Sequence, residues 1–235
     1  FFIFRLVSST LCQQKNRGAS LIILKNICKY YPMKSGKRKV LDNINLTISP
    51  GEKIGILGKN GAGKSTLIRI LSGAEEPSSG GIVRDMNISW PLAFSGTFQG
   101  SLTGADNVRF VCRVYNTDYK RAMEMVDSFA ELGKYLYEPV KVYSSGMRAR
   151  LAFAISLAVD FDCYLIDEVI SVGDASFHHK CQIELFEKRA HKAMVIVSHE
   201  LHNIREHCDR VAILNNGILN TFEDIEAAIA LYDTL

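Results

Sequence analysis

Apolar and polar positions alternate with a period of two along residues 21–29 and again along 41–48, the pattern of antiparallel strands with one buried face. The polar stretch from Tyr31-Pro32 to Lys39 reads as their connection. It carries Lys34, Lys37, Arg38 and Lys39, a basic loop better suited to solvent than to lipid head groups. After the Pro50-Gly51 turn, a short apolar run at 53–57 predicts a buried strand. A glycine loop follows, then helical spacing over 65–71. A polar turn cluster at 75–81 precedes 82–90, which returns as one or two strands. Residues 102–137 are helical in pattern, and 144–159 form a helix that is apolar on most sides. Further buried strands are expected at 163–166 and 193–197. The segments 209–214 and 218–222 flank Asn215-Asn216-Gly217, a hairpin signal because Asn and Gly accept positive φ. A last helix falls near 225–231. Strands alternating with helices predict an α/β fold with an antiparallel β-subdomain and an inserted helical subdomain at about 100–160.

Composition narrows this little. At 235 residues the chain can bury a sizeable core unaided, and 47% hydrophobic with 23% charged residues is ordinary for a globular protein. A net charge of +3 gives no reason to expect a nucleic-acid partner. The six cysteines (Cys12, Cys28, Cys112, Cys163, Cys181, Cys208) form no Cys-x-x-Cys pair or zinc spacing. No run approaches the roughly 20 apolar residues that span a bilayer, so any membrane crossing would fall to another polypeptide. Residues 1–20 open on a short apolar stretch with Arg5 and no initiator Met. They read as an upstream extension or a misplaced start, with the domain itself covering 21–235.

The chemistry lies in three places. Gly58-Lys59-Asn60-Gly61-Ala62-Gly63-Lys64-Ser65, followed by Thr66, has the spacing at which backbone N–H groups wrap nucleotide phosphates between a strand and a helix. Lys64 would neutralise phosphate charge and Ser65 would bind Mg²⁺, which points to ATP. Asp167-Glu168 ends a buried strand at the sheet edge where the loop also opens. Asp167 would hold the Mg²⁺ shell and Glu168 would act as general base on water; the pair could also simply cap the next helix. Tyr143-Ser144-Ser145-Gly146-Met147 precedes a helix whose N-terminus favours a phosphate. His199, His202 and His207 lack a zinc-protease spacing.

With that last segment the chain resembles the ABC ATPases, whose usual signature is Leu-Ser-Gly-Gly-Gln. Ser144 and Gly146 keep the pattern, while Tyr143, Ser145 and Met147 depart from it. The resemblance implies that Gln99 senses Mg²⁺ and the attacking water, that His199 contacts the γ-phosphate, and that Asp174 belongs to a loop linking two protomers. It makes Tyr31 the aromatic residue on which adenine stacks, with Tyr30 as the alternative. Trp90-Pro91-Leu92, the run 96–108 and Tyr164-Leu165-Ile166-Asp167-Glu168 narrow the resemblance to the capsular polysaccharide export ATPases over about 21–232. That group implies a homodimer on the cytoplasmic face of the inner membrane, peripheral to an integral-membrane permease of the ABC-2 type. Each ATP would lie between one phosphate loop and Ser144, Ser145 and Gly146 of the other copy. O-antigen exporters, which often carry an added C-terminal domain, and teichoic acid exporters are the near alternatives. A soluble ABC protein acting on ribosomes or DNA, and a nucleotide-binding regulator without turnover, are the distant ones.

Overall fold

Period-two patterning produces two sheets, and helical spacing covers both faces of the larger. In chain order the first elements are β1 (Ile22–Met33), β2 (Gly36–Ile48), β3 (Lys53–Leu57), α1 (Lys64–Leu71), β4 (Ser79–Arg84) and β5 (Ile88–Pro91). A helical region follows, with α2 (Gly104–Tyr115), α3 (Tyr119–Ala130), two 3₁₀ turns (Gly133–Tyr137 and Val140–Val142) and α4 (Ser145–Ala158). The chain then forms β6 (Cys163–Asp167), α5 (Ala175–Gln182) running on into a π-helical turn (Ile183–Glu187), β7 (Ala193–Val197), α6 (Leu201–His207), β8 (Arg210–Asn215), β9 (Ile218–Phe222) and α7 (Ile225–Asp233). The computed structural model describes residues 20–34, 36–92, 98–167, 174–198 and 200–235.

The larger sheet has the order β5-β6-β7-β3-β8-β9, parallel except for β9, and the smaller is antiparallel with the order β2-β1-β4. Alternation along the parallel strands sorts side chains into two cores. Leu165, Val195 and Ala212 face α1 and the small sheet. Tyr164, Ile196 and Ile213 face the helical region. Gly55 stands where a Cβ would lie 2.9 Å from Ile204 Cδ1, so a side chain there would force Ile204 of α6 to shift. Rings of Trp90, Tyr115 and Phe161 meet at 5.2–5.5 Å between centroids, joining β5 to the helical region. Truncating such a buried ring costs about 3–5 kcal/mol.

Most expected elements are present. β3 and β7 have the expected bounds, and Asn216 and Gly217 both have positive φ (49° and 79°) between Asn215 and Ile218. Three expectations change. The polar connection at 31–39 is largely strand: β1 and β2 run on as a ribbon that pairs Tyr31 with Arg38 and Met33 with Gly36. The turn cluster at 75–81 already contains the start of β4. The helical stretch at 102–137 is also broken, at Asn116 (φ 52°) and Glu131 (φ 52°), each a left-handed C-cap that ends a helix.

Candidate functional site

The sheet order sets the site. β3 lies beside β7, and β7 beside β6, with Ile56 and Asp167 both level with Val197. The phosphate loop leaving β3 and the carboxylate ending β6 therefore share the carboxyl edge of the sheet, two strand spacings or about 10 Å apart. This edge opens into a cleft of about 580 Å³.

Local sterics demand the glycines. A Cβ on Gly58 would lie 2.5 Å from the Leu214 carbonyl oxygen, and Gly63 has φ 113° with a Cβ position 3.0 Å from the Val40 carbonyl oxygen. Gly63 is also the N-cap of α1, without a side-chain cap. The first N–H groups of a helix have no acceptor within it, and such an end favours an anion. Asn60, Gly61, Gly63, Lys64, Ser65 and Thr66 line the cleft, facing Tyr31 and Asp167. Gly58 is buried beneath the loop, and Ala62 packs toward the inner core. Lys64 is 8% exposed, with its Nζ donating to the Gly58 carbonyl at 2.5 Å. Ser65 and Asp167 offer oxygen ligands on the same cleft, the donor chemistry that suits Mg²⁺ when phosphate oxygens and water complete the shell.

Tyr31, rather than Tyr30, faces the cleft. Neighbouring strand residues point to opposite faces, and Tyr30 lies under the Lys39 ammonium, 5.6 Å from its ring centroid. Arg38, Met33 and Val40 also line the cleft, and sequence reasoning missed them because it read their segment as a solvated loop. Lys37-Arg38-Lys39 is charged at every position, so no alternation marks the strand there.

Other expected residues lie elsewhere. Gln99 sits at the entry to the helical region, its backbone N–H donating to Asn107 Oδ1 (3.3 Å) and its side-chain amide to Ser101 Oγ (3.2 Å). It is not among the residues lining the cleft. Ser144 is the N-cap of α4, with Oγ accepting from the Met147 N–H at 3.2 Å. Ser144 and Ser145 are exposed and Gly146 is half-buried, and none of the three lines this cleft. Asp174 caps α5 through the Phe177 N–H (2.9 Å) and receives Arg150 Nη2 at 2.7 Å; these contacts, the backbone one foremost, hold its carboxyl below the usual range. Arg150 and Lys180 also pair with Glu131, tying α3 and α4 to α5. His202 lies 3.1 Å from Glu206, and His207 stacks on Phe186 with centroids 3.7 Å apart. Glu168 and His199 lie outside the described residues.

Among the described residues, no helix is long and apolar enough to cross a membrane. The ABC transporter family model matches residues 41–171. ATP-binding protein BexA of Haemophilus influenzae is 58% identical over 91% of this chain and 98% of its own length. Capsule polysaccharide export ATP-binding protein CtrD of Neisseria meningitidis serogroup B is 56% identical over 92% and 100%. A solved dimeric ATP-binding cassette in a post-hydrolysis state with ADP and Pi matches with a TM-score of 0.72 at 25% identity, over 86% of this chain and 97% of that one. With its nucleotide cleft built as described, the chain belongs to the ABC transporter family as an ATP-binding subunit.

Proposed function

We propose that this chain is the ATP-hydrolysing subunit of a capsular polysaccharide exporter, working as a homodimer on the cytoplasmic face of the inner membrane beneath a separate ABC-2 type permease. The ATPase unit spans 21–235, with 1–20 an extension outside it and about 100–160 its helical subdomain. One observation carries the shared-site reading: Ser144 and Ser145 begin a helix on an exposed surface away from their own protomer's cleft. A second copy's Ser144, Ser145 and Gly146 would then close over a phosphate bound by Lys64. The export of capsule rests on the likeness to CtrD, whose name states that activity.

In this reading the loop N–H groups and Lys64 hold the β- and γ-phosphates, and Tyr31 stacks on adenine. Ser65 and Asp167, with Gln99 toward the helical subdomain, would hold Mg²⁺, which when bound neutralises phosphate charge. Glu168 would take the proton of the attacking water while the bond to the β-phosphate breaks, and His199 and the opposite Ser144 would steady charge on the γ-phosphoryl group. Phosphate release measured over a series of chain concentrations tests the shared site. Activity per chain should rise with concentration until dimers saturate; constant activity down to concentrations at which the chain sediments as a monomer would sink it.

A further inference from the structure

Behind Tyr31 lies a cluster of charged groups with no place in phosphate chemistry. The Tyr31 hydroxyl donates to Glu75 Oε2 at 2.8 Å, accepts from Arg69 Nη2 at 3.1 Å and lies 3.5 Å from Thr66 Oγ1. Arg69 Nη2 also donates to Thr66 Oγ1 at 3.2 Å, and Arg69 Nε to Glu75 Oε2 at 2.9 Å. Lys29 completes the group, with Nζ 2.8 Å from Glu75 Oε1 and 5.4 Å from the Tyr31 ring centroid. Thr66 is in the first turn of α1, Arg69 is in its last, and Glu75 follows it with an N–H donated to the Arg69 carbonyl. Both ends of the phosphate-loop helix thus converge on one hydroxyl of a strand in the other sheet.

A tyrosine ring held only by its Cβ pivots about two torsions. A hydroxyl fixed by a carboxylate and a guanidinium loses that freedom, and charge-assisted bonds are the stronger kind. Resting on the assignment of Tyr31 to the base, we propose that Arg69 and Glu75 are positioning residues for the nucleotide base. They lock the plane of the Tyr31 ring at a fixed distance from the phosphate loop, so that base and triphosphate are gripped in one register. Neither residue is among those lining the cleft. Their contribution is preorganisation, felt by a ligand that carries both base and phosphates and not by phosphates alone.

The test compares binding of Mg²⁺-ATP and of inorganic tripolyphosphate, by calorimetry, to the full chain and to Tyr31→Phe, Glu75→Gln, Arg69→Gln and Tyr31→Leu. For the first three, ATP affinity should fall ~3- to 10-fold while tripolyphosphate affinity stays within ~2-fold. Tyr31→Leu should weaken ATP further. Equal losses for the two ligands would make the cluster a structural prop of α1 and overturn the proposal. If Tyr31→Phe and Glu75→Gln bind ATP as wild type does while Tyr31→Leu does not, the base stack stands and the positioning role falls. If Tyr31→Leu also binds normally, the base assignment itself fails, and the proposal with it.

Discussion

Two helix N-termini in this molecule start from loops rich in small residues, and they are finished differently. At α1 the cap is Gly63, left-handed and without a side chain to offer, and the following Lys64 and Thr66 are buried at the floor of a cleft. At α4 the cap is Ser144, extended in backbone (φ −63°, ψ 166°), and its hydroxyl already serves the Met147 N–H. The first end has given up its own capping group, so an anion satisfies it best. The second has one of its N–H groups capped by its own side chain and lies exposed. In the proposed dimer, one half-site would bind by itself, and the other would act only when another molecule brings a phosphate to it. The same dipole and N–H chemistry would, in the proposed dimer, make a cradle in one place and a docking face in the other.

Removing the cradle's charge should give the largest effect. Lys64→Ala is expected to lower phosphate release by ~10²–10³-fold, the scale of losing one positioned charge stabiliser. Ser144→Arg should impair turnover as well, yet leave ATP affinity of the isolated protomer near wild type, as equilibrium binding would record. Mixing the two variants breaks or sharpens the contrast. A heterodimer has one site in which intact Lys64 faces intact Ser144, so activity should return on mixing. Two inactive chains that stay inactive together, despite proven heterodimers, would place both helix ends in one protomer's site. A smaller effect belongs to the cap itself: Ser144→Ala should cost about 1 kcal/mol of stability in urea unfolding, whereas α1 has no side-chain cap to lose.

The cradle was legible in the sequence because its parts are local. Eight consecutive residues carry the turn, and the flanking strand at Lys53–Leu57 is a short apolar run bounded by Gly51 and Gly58. Ala193–Val197 was equally clear, buried along its whole length. What failed to show is what depends on register between distant segments. The β1–β2 ribbon is polar and wet on both faces near its tip, so periodicity there carries no signal, and Arg38 was read as loop. Tyr30 and Tyr31 could not be separated until the strand fixed which side faces the cleft. α6 is seven residues long and buries Ile204, too little apolar pattern to announce a helix. The Glu75 cluster is invisible for the same reason, since Lys29 and Tyr31 reach it from β1 and Arg69 from α1.

The last contrast separates the two regions by pH. Partial burial pushes the Glu75 carboxyl up, but hydrogen bonds from Lys29, Tyr31 and Arg69 outweigh it and bring the pKa from 4.5 down to about 2. A carboxyl whose folded value is depressed contributes stability that is fully present above the unfolded value and lost as the pH falls through the folded one. The contribution should therefore be complete above pH 4.5 and decline toward pH 2. Other carboxyls, such as those of Glu184 and Asp174, are also held low, so wild type alone cannot isolate the cluster. The difference in urea midpoint between wild type and Glu75→Gln can, because the glutamine does not titrate. That difference should be widest above pH 4.5 and shrink as the pH approaches 2. Ser144→Ala brings no titrating group into play, so its gap from wild type should stay level across the same window. A Glu75→Gln gap that also stays level would mean that the carboxylate beneath Tyr31 is no better stabilised in the fold than in the unfolded chain.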